Sequence, residues 1–486
     1  MTLAIPLIAN IYRHKNSMKH INIISNEGFN ALFVVNTPVF DNSGVAHGVE
    51  HLVFRGSKAF PQAETLFQLT SLTDAKINAS TFANTSYFHC QSLCPYTFIL
   101  AVNYLLNGLF NPVFNAKDLH CEIYDGKDKG VIYQELLAAE QADKNSTKES
   151  DKDSFCYGGI STLIGNLSLN DLTSFHQRFY QASNITLVTA NADIEKISQL
   201  ISLLPKQHNQ STQLKETLTK DNKNSQDDGS NVHHQKKYSQ AINQLITTYH
   251  LWLQDPNYQE IADYKEIENA KKPLVTDTDM LPMQENSNLI PALASLSKQL
   301  VLVEETISEQ TVSIDINQLP SKTPLPNLFS PLYQQAEKLL TSDKVNRQLN
   351  YCSVSEQRNA LWLTKINATE QEIATLTSYI ISAYPRFLAP RCQGSCYATQ
   401  ALTIENSAYL AIYSAFDVNP DKRLQEIPLC LLKLSQDNSF ISMSLALAKI
   451  KYCRAYQVQK SQVSNITATD ISAYLLVLAN DPHPKV

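Results

Sequence analysis

The segment Gly44-Val45-Ala46-His47-Gly48-Val49-Glu50-His51-Leu52-Val53-Phe54 constrains this chain more than any other stretch. Asp41, Asn42 and Ser43 precede it as candidate N-caps and Gly56 follows as a candidate C-cap, so it reads as a short helix. On a helix, His47 and His51 are one turn apart and project from the same face. Two imidazoles so placed can share one tetrahedral zinc ion through neutral ring nitrogens. Glu50, beside His51, then sits close enough to act on a water without ligating the metal. The order H-x-x-E-H reverses the more familiar H-E-x-x-H. A plain helix with packed or solvated histidines is the competing reading, so the motif needs a further ligand elsewhere.

Hydrolytic zinc usually takes three protein ligands and a water. Downstream, Gly130-Val131-Ile132-Tyr133-Gln134-Glu135-Leu136-Leu137-Ala138-Ala139-Glu140 has apolar positions at helical spacing and offers Glu135, with Glu140 read as part of a solvated face. With this segment the sequence resembles the pitrilysin/insulinase-type (inverzincin) zinc metallopeptidases, and within them the presequence-protease subgroup. There H-x-x-E-H is followed, at a comparable separation, by G-V-hydrophobic-aromatic-x-E. The resemblance implies one zinc ion per chain held by His47, His51 and Glu135, with Glu50 as general base. Asp128 stands where many relatives carry a second glutamate, which implies a role in orienting the ligands from behind.

Other segments extend the resemblance. Ser57-Lys58-Ala59-Phe60-Pro61 matches the G-S-x-x-F/Y-P that follows the zinc helix in relatives. Ile77-Asn78-Ala79-Ser80-Thr81 matches their N-A-x-T strand, an exposed sheet edge that pairs with the substrate backbone. This implies that Asn78 and Ala79 bind the peptide. Thr85 to Cys90 reads as the returning strand, with His89 a packed strand histidine. Asn170 to Tyr180 reads as a helix running into a strand at Ile185 to Ala190, with His176 structural. Near the C-terminus, Arg391-Cys392-Gln393-Gly394-Ser395-Cys396-Tyr397 keeps the R-x5-Y spacing of the family's last domain. The resemblance gives Arg391 and Tyr397 the task of stabilising an oxyanion, for which a guanidinium and a phenol in a dry site are suitable donors.

The 486 residues suffice for two or three domains. We read residues 1–205 as the catalytic domain, 206–240 as a polar low-complexity linker in which His233 and His234 are incidental, and 241–486 as a second domain. Within the last, 345–486 resembles the family's final domain and 241–340 has no clear counterpart. The polar run 141–153 reads as a surface loop, and the apolar start, Met1 to Ala9, as a first strand. The expected fold is α/β (α+β): two domains, each an antiparallel sheet with helices on one face, the half-clamshell of these metallopeptidases. Presequence proteases are roughly twice this length, so a homodimer completing a closed chamber is the expected assembly.

A net charge of −6 argues against a nucleic-acid partner, because no dense basic stripe is available to neutralise phosphates. No apolar run approaches a membrane span. Nine cysteines, an odd number without a framework, favour a reducing compartment, which points to the cytoplasm or alternatively an organellar matrix. The expected function is zinc-dependent endopeptidase hydrolysis of short unfolded peptides. The alternative is a catalytically impaired peptide-binding or structural subunit of a metallopeptidase-like assembly.

Overall fold

The computed structural model describes residues 4–23, 28–82, 84–144, 156–204, 308–315, 351–354, 359–404, 409–456, 458 and 460–480. The expectations for the linker 206–240, for His233 and His234, and for most of 241–340 lie outside them.

The fold is mixed α/β, built on two sheets. The first contains β1 (Ala4–Arg13), β2 (Lys19–Ile23), β3 (Phe29–Asn36), β4 (Lys76–Thr81), β5 (Thr85–Ser92), β6 (Ile185–Ala190) and β7 (Ser308–Asp315), in the order β4-β5-β3-β6-β2-β1-β7. Its middle strand, β3, is a continuous apolar run from Ala31 to Val35 because both faces of the strand are covered. Ala31, Phe33 and Val35 join one core cluster with Val49, Leu52 and Val53 of α1 (Val45–Arg55) and with Phe98, Leu105 and Leu109 of α3 (Pro95–Phe110). Each fully buried Val, Leu or Phe of this cluster contributes about 1.5–3 kcal/mol.

Two features of this sheet differ from expectation. β2 and β6 run parallel, so the sheet is not purely antiparallel. The chain leaves β3, builds the helices, and returns at β6 beside both β2 and β3; such a long crossover permits a parallel neighbour where a hairpin cannot. The strand β7 also pairs along β1. Residues 308–315, assigned from the sequence to the second domain, therefore extend the first sheet, since β1 would otherwise present an unpaired edge.

The helices that frame the site follow in order. α2 is Thr65–Leu72, α4 is Ala116–Glu122 and α5 is Val131–Lys144. A single turn, α6 (Ser161–Ile164), precedes α7 (Leu169–Phe179), and α8 is Ile194–Ser202. α7 begins with a capping box in which Ser168 and Asp171 exchange side-chain and backbone bonds. The polar run 141–153 starts as helix rather than loop, because α5 continues to Lys144. Glu140 is not simply solvated: its carboxylate accepts from the amide and hydroxyl of Ser161 at 2.8 and 2.7 Å.

The second sheet holds β8 (Tyr351–Val354), β9 (Asn359–Lys365), β10 (Ala398–Ile404) and β11 (Tyr409–Ala415), in the order β10-β11-β9-β8 and all antiparallel. Leu410 and Ile412 of β11 face a core shared with α9 (Gln371–Ala383), α11 (Pro420–Ser435), α12 (Asn438–Ala455) and α14 (Ala468–Asn480). The alternate residues Ala411, Tyr413 and Ala415 form a smaller cluster on the opposite face. α10 (Pro385–Cys392) leads into the Arg391–Tyr397 loop, and α13 is the short Lys460–Ser464.

The two units are packed directly together. Leu72 of α2 belongs to the second core, Gln68 donates to the carbonyl of Ala383 at 3.3 Å, and the Lys451 ammonium donates to the carbonyls of Thr70 and Ser71 at 2.8 and 3.0 Å. Among the described residues, no helix is long and apolar enough to cross a membrane.

Candidate metal centre

Gly44 opens α1 in a left-handed conformation, φ 74°, and a side chain there would collide with Ile164 and Gly158. This tight entry sets the N-terminal end of the helix against the 156–160 loop. Asn42 fixes that loop by accepting from the amide of Cys156 at 2.7 Å through its side chain and from Ile160 at 3.3 Å through its carbonyl. The loop in turn places the carbonyl of Gly158 at 2.9 Å from His47 Nδ1. A carbonyl only accepts, so His47 carries its proton on Nδ1 and its Nε2 lone pair is free.

His51 is oriented in the same way by a carboxylate. Its Nδ1 donates to Glu122 Oε2 at 3.0 Å, which turns Nε2 toward Glu135. Glu135, on the second turn of α5, brings Oε2 to 3.6 Å from His47 Nε2 and 3.7 Å from His51 Nε2. That oxygen is buried and has no hydrogen-bond partner. His47, His51 and Glu135 thus form a group able to hold a metal ion.

Glu50, buried beside them, accepts a hydrogen bond from the hydroxyl of Thr81. Burial raises its pKa against the opposing pull of His47, His51 and Thr81. Behind His51 lies a cluster of charges that the sequence reading missed. Glu122 is fully buried, and its Oε1 receives Arg55 Nη1 at 3.0 Å and Arg391 Nη1 at 2.6 Å. Arg55 also grips Asp118 at 2.8 and 2.9 Å. Burial opposes the ionised form of Glu122, but Arg391, His51 and Arg55 outweigh it and hold the carboxyl well below its ordinary range. For His51, burial favours the neutral ring, and the bond and charge of Glu122 outweigh that to shift it upward. The missed signal was Arg55 itself. It continues the His47, His51 series at four-residue spacing, and a cation on the buried face of a metal helix needs a carboxylate partner.

Asp128 does not fill the orienting role expected of it. It lies exposed in the turn before α5, where Gln134 donates to its carbonyl and its own amide bonds to Asp125. Glu122 takes the place behind His51 because α4, not the 125–129 turn, packs against α1.

Asn78 and Ala79 lie on β4, which among the described residues pairs only with β5 and forms the edge of the sheet. The Ala79 amide is bonded to Asn78 Oδ1 at 2.9 Å and its carbonyl to the Ser80 hydroxyl at 2.7 Å. Local side chains therefore occupy the backbone groups of the edge. His89 and His176 are structural, as expected. His89 is buried and His176 half-buried, desolvation lowers each pKa to about 4, and His176 Nε2 donates to the carbonyl of Leu109 at 2.9 Å.

The Arg391–Tyr397 loop meets the site of its own chain. Arg391 sits between Glu122 and the ring of Phe67, its guanidinium carbon 5.2 Å from the ring centre. Gly394 accepts from the Gly130 amide at 3.0 Å, just ahead of α5. Tyr397 packs edge-on against Phe416 at 5.7 Å, and burial followed by the charge of Glu135 drives its pKa well above the usual phenol value. Arg391, expected opposite a substrate oxyanion, is here engaged by the Glu122 carboxylate. The expected homodimer is not needed to bring either residue to the triad.

Comparison with known proteins finds matches for part of this chain. The model of the Insulinase (Peptidase family M16) family matches residues 40–150, the span from just before α1 through α5 that carries His47, Glu50, His51, Glu122 and Glu135. Over that span the chain is similar to the insulinase-type peptidases. It is similar to presequence protease 1, chloroplastic/mitochondrial, of Arabidopsis thaliana, at 26% identity over 201 residues, covering 36% of this chain and 18% of that protein. It is equally similar to an uncharacterised Schizosaccharomyces pombe protein, at 26% identity over 183 residues, covering 35% of this chain and 18% of that protein. The matched stretch thus spans less than a fifth of either relative. Among solved structures, a protease from Helicobacter pylori aligns over 97% of this chain and 96% of its own, at 11% identity and a TM-score of 0.32.

Proposed function

We propose that this chain is a zinc-dependent endopeptidase of short unfolded peptides, with Glu50 as its general base. The observation that carries the reading is the orphaned, buried Oε2 of Glu135 facing two free imidazole nitrogens at 3.6 and 3.7 Å. Ligand atoms about 2.0–2.1 Å from a tetrahedral ion stand about 3.4 Å apart, so His47, His51 and Glu135 fit one zinc ion with a fourth position open. Charge agrees. The four carboxylates of Glu50, Glu122, Glu135 and Asp118 face the two guanidiniums of Arg55 and Arg391. The two uncompensated negative charges suit a divalent cation.

When bound, zinc supplies Lewis acidity that brings water within reach of deprotonation near neutral pH. Glu50 takes that proton and returns it to the leaving amine, with Thr81 fixing the carboxylate from the opposite side. The β4 edge aligns the peptide as an added strand, whose backbone replaces Asn78 Oδ1 and the Ser80 hydroxyl on Ala79. Pairing through the main chain reads extended conformation rather than sequence. Tyr397 keeps its proton under all ordinary conditions and serves as the hydroxyl donor to developing negative charge. A reducing compartment, cytoplasm or organellar matrix, suits the odd number of cysteines in the sequence.

The test is cleavage of an internally quenched, unstructured peptide by zinc-loaded protein beside Glu50→Gln. The parent should turn the peptide over, chelator should abolish it, and the variant should lose at least about 100-fold with its zinc retained. Equal, negligible rates with one zinc per chain would replace this reading by the peptide-binding or structural alternative.

A further inference from the structure

We propose that Arg391, a residue of the second unit, is a positioning residue for His51 and acts through Glu122, so that the docked second unit helps to hold the metal centre. The inference rests on the metal-centre reading given above.

Glu122 is fully buried between the two units and has no room for water to solvate its charge. Its Oε2 serves His51 Nδ1 at 3.0 Å, while Oε1 is held by two guanidiniums, Arg55 at 3.0 Å and Arg391 at 2.6 Å. Arg55 is heavily committed elsewhere: Nε and Nη2 bind Asp118, and Nη2 also reaches the carbonyl of Cys392 at 2.9 Å. Only its Nη1 is left for Glu122. Arg391 makes the shorter contact of the two and comes from a separate scaffold, the end of α10.

That scaffold is fixed to the first unit at three places beside the site. The Arg391 guanidinium lies over Phe67, the Gly394 carbonyl receives the Gly130 amide at 3.0 Å, and Gly394 itself abuts the backbone of Cys121, next to Glu122. Without Arg391, one guanidinium would be left to hold a buried carboxylate, and Glu122 would be free to turn from His51. The imidazole would then lose the acceptor that fixes its tautomer and direction, and Nε2 would no longer face Glu135. Partners of this kind behind a ligand commonly set metal affinity by about 10–100-fold. Sequence distance hides the link, since Arg391 lies on α10 and His51 on α1, in different units joined here through Glu122.

Zinc is titrated into the metal-free full chain against a chromogenic chelator, with circular dichroism to check folding. The parent should bind one zinc and Glu135→Ala should bind none. Arg391→Met should bind about 10–100-fold more weakly, Arg391→Lys should lose less, and Glu122→Gln should lose a similar factor. Arg391→Met combined with Glu122→Gln should bind no more weakly than Glu122→Gln alone, because both changes cut the same path. Lys451→Met, which breaks a contact between the units away from the site, should bind as the parent does. The proposal is overturned by parental affinity in Arg391→Met, by losses that multiply in the double variant, or by an equal loss in Lys451→Met. Should Arg391→Met fail to fold, Arg391→Lys decides: weakened binding supports the proposal and parental binding ends it. A parent that binds no zinc would defeat the metal-centre reading itself, whereas a binding parent with an unaffected arginine variant would defeat only the role of Arg391.

Discussion

Thr81, at the end of the open edge strand, donates its hydroxyl to the Glu50 carboxylate on the metal helix. The strand proposed to hold the peptide therefore also holds the proposed base. Thr81→Val keeps the shape and removes the donor. A hydrogen bond to a charged group is worth about 1.5–3 kcal/mol, so peptide turnover should fall at least about tenfold. Zinc content, read by atomic absorption, should not change; a variant that loses its metal instead would show Thr81 to be a structural support of the site.

Gly394 should tolerate no side chain. It has φ 72°, and a Cβ would stand 2.2 Å from the carbonyl oxygen of Cys121. Gly394→Ala should cost about 1–3 kcal/mol from backbone strain alone, and more from the clash with a rigid backbone. Urea unfolding checks this, with an unchanged midpoint counting against the docked position of the loop.

Metal removal should be visible in stability as well as in activity. A ligand present at 100 times its Kd adds about 2.7 kcal/mol to the unfolding free energy. Chelator should therefore lower the melting temperature of the zinc-loaded parent. It should leave His47→Ala and Glu135→Ala unmoved, because neither retains the triad. Scanning calorimetry with and without chelator makes the comparison.

Acid should destabilise the fold through histidines remote from the metal. Burial lowers the pKa of His20 to about 3 and those of His89 and His176 to about 4. In the unfolded chain each returns to about 6.5. Below that value the unfolded chain binds protons that the folded chain refuses, so stability is full above about pH 6.5 and falls as the pH drops towards 4. Each group contributes up to about 1.4 kcal/mol per pH unit in that window. Urea midpoints at pH 7 and pH 5 should show the fall, and His89→Phe should flatten it. An equal slope in that variant would remove His89 from the account.

The legible part of the site was the part written in local spacing. His47, Glu50 and His51 lie within one helix, and α1 presents both imidazoles to Glu135 at nearly equal distance. Glu135 was found from helical periodicity together with the family resemblance, and β4, β5, α7 and β6 fall close to where the pattern of residues placed them. Asp128 was misjudged because the position at which many relatives carry a second glutamate falls, in this chain, in an exposed turn. Glu122, thirteen positions ahead of Glu135, holds that place because α4 carries it under the metal helix.

The sequence by itself placed two imidazoles, His47 and His51, one helical turn apart with the Glu50 carboxylate beside them, and the family resemblance pointed to Glu135. Tertiary structure alone decided what stands behind those donors. It added 308–315 to the first sheet, brought Arg391 onto Glu122, and pressed Gly394 against Cys121. The reason is physical. Helical and strand periodicities fix which side chains share a face over a few residues, whereas pairing a buried charge depends on which distant surfaces pack together, and that is settled only when the whole chain folds.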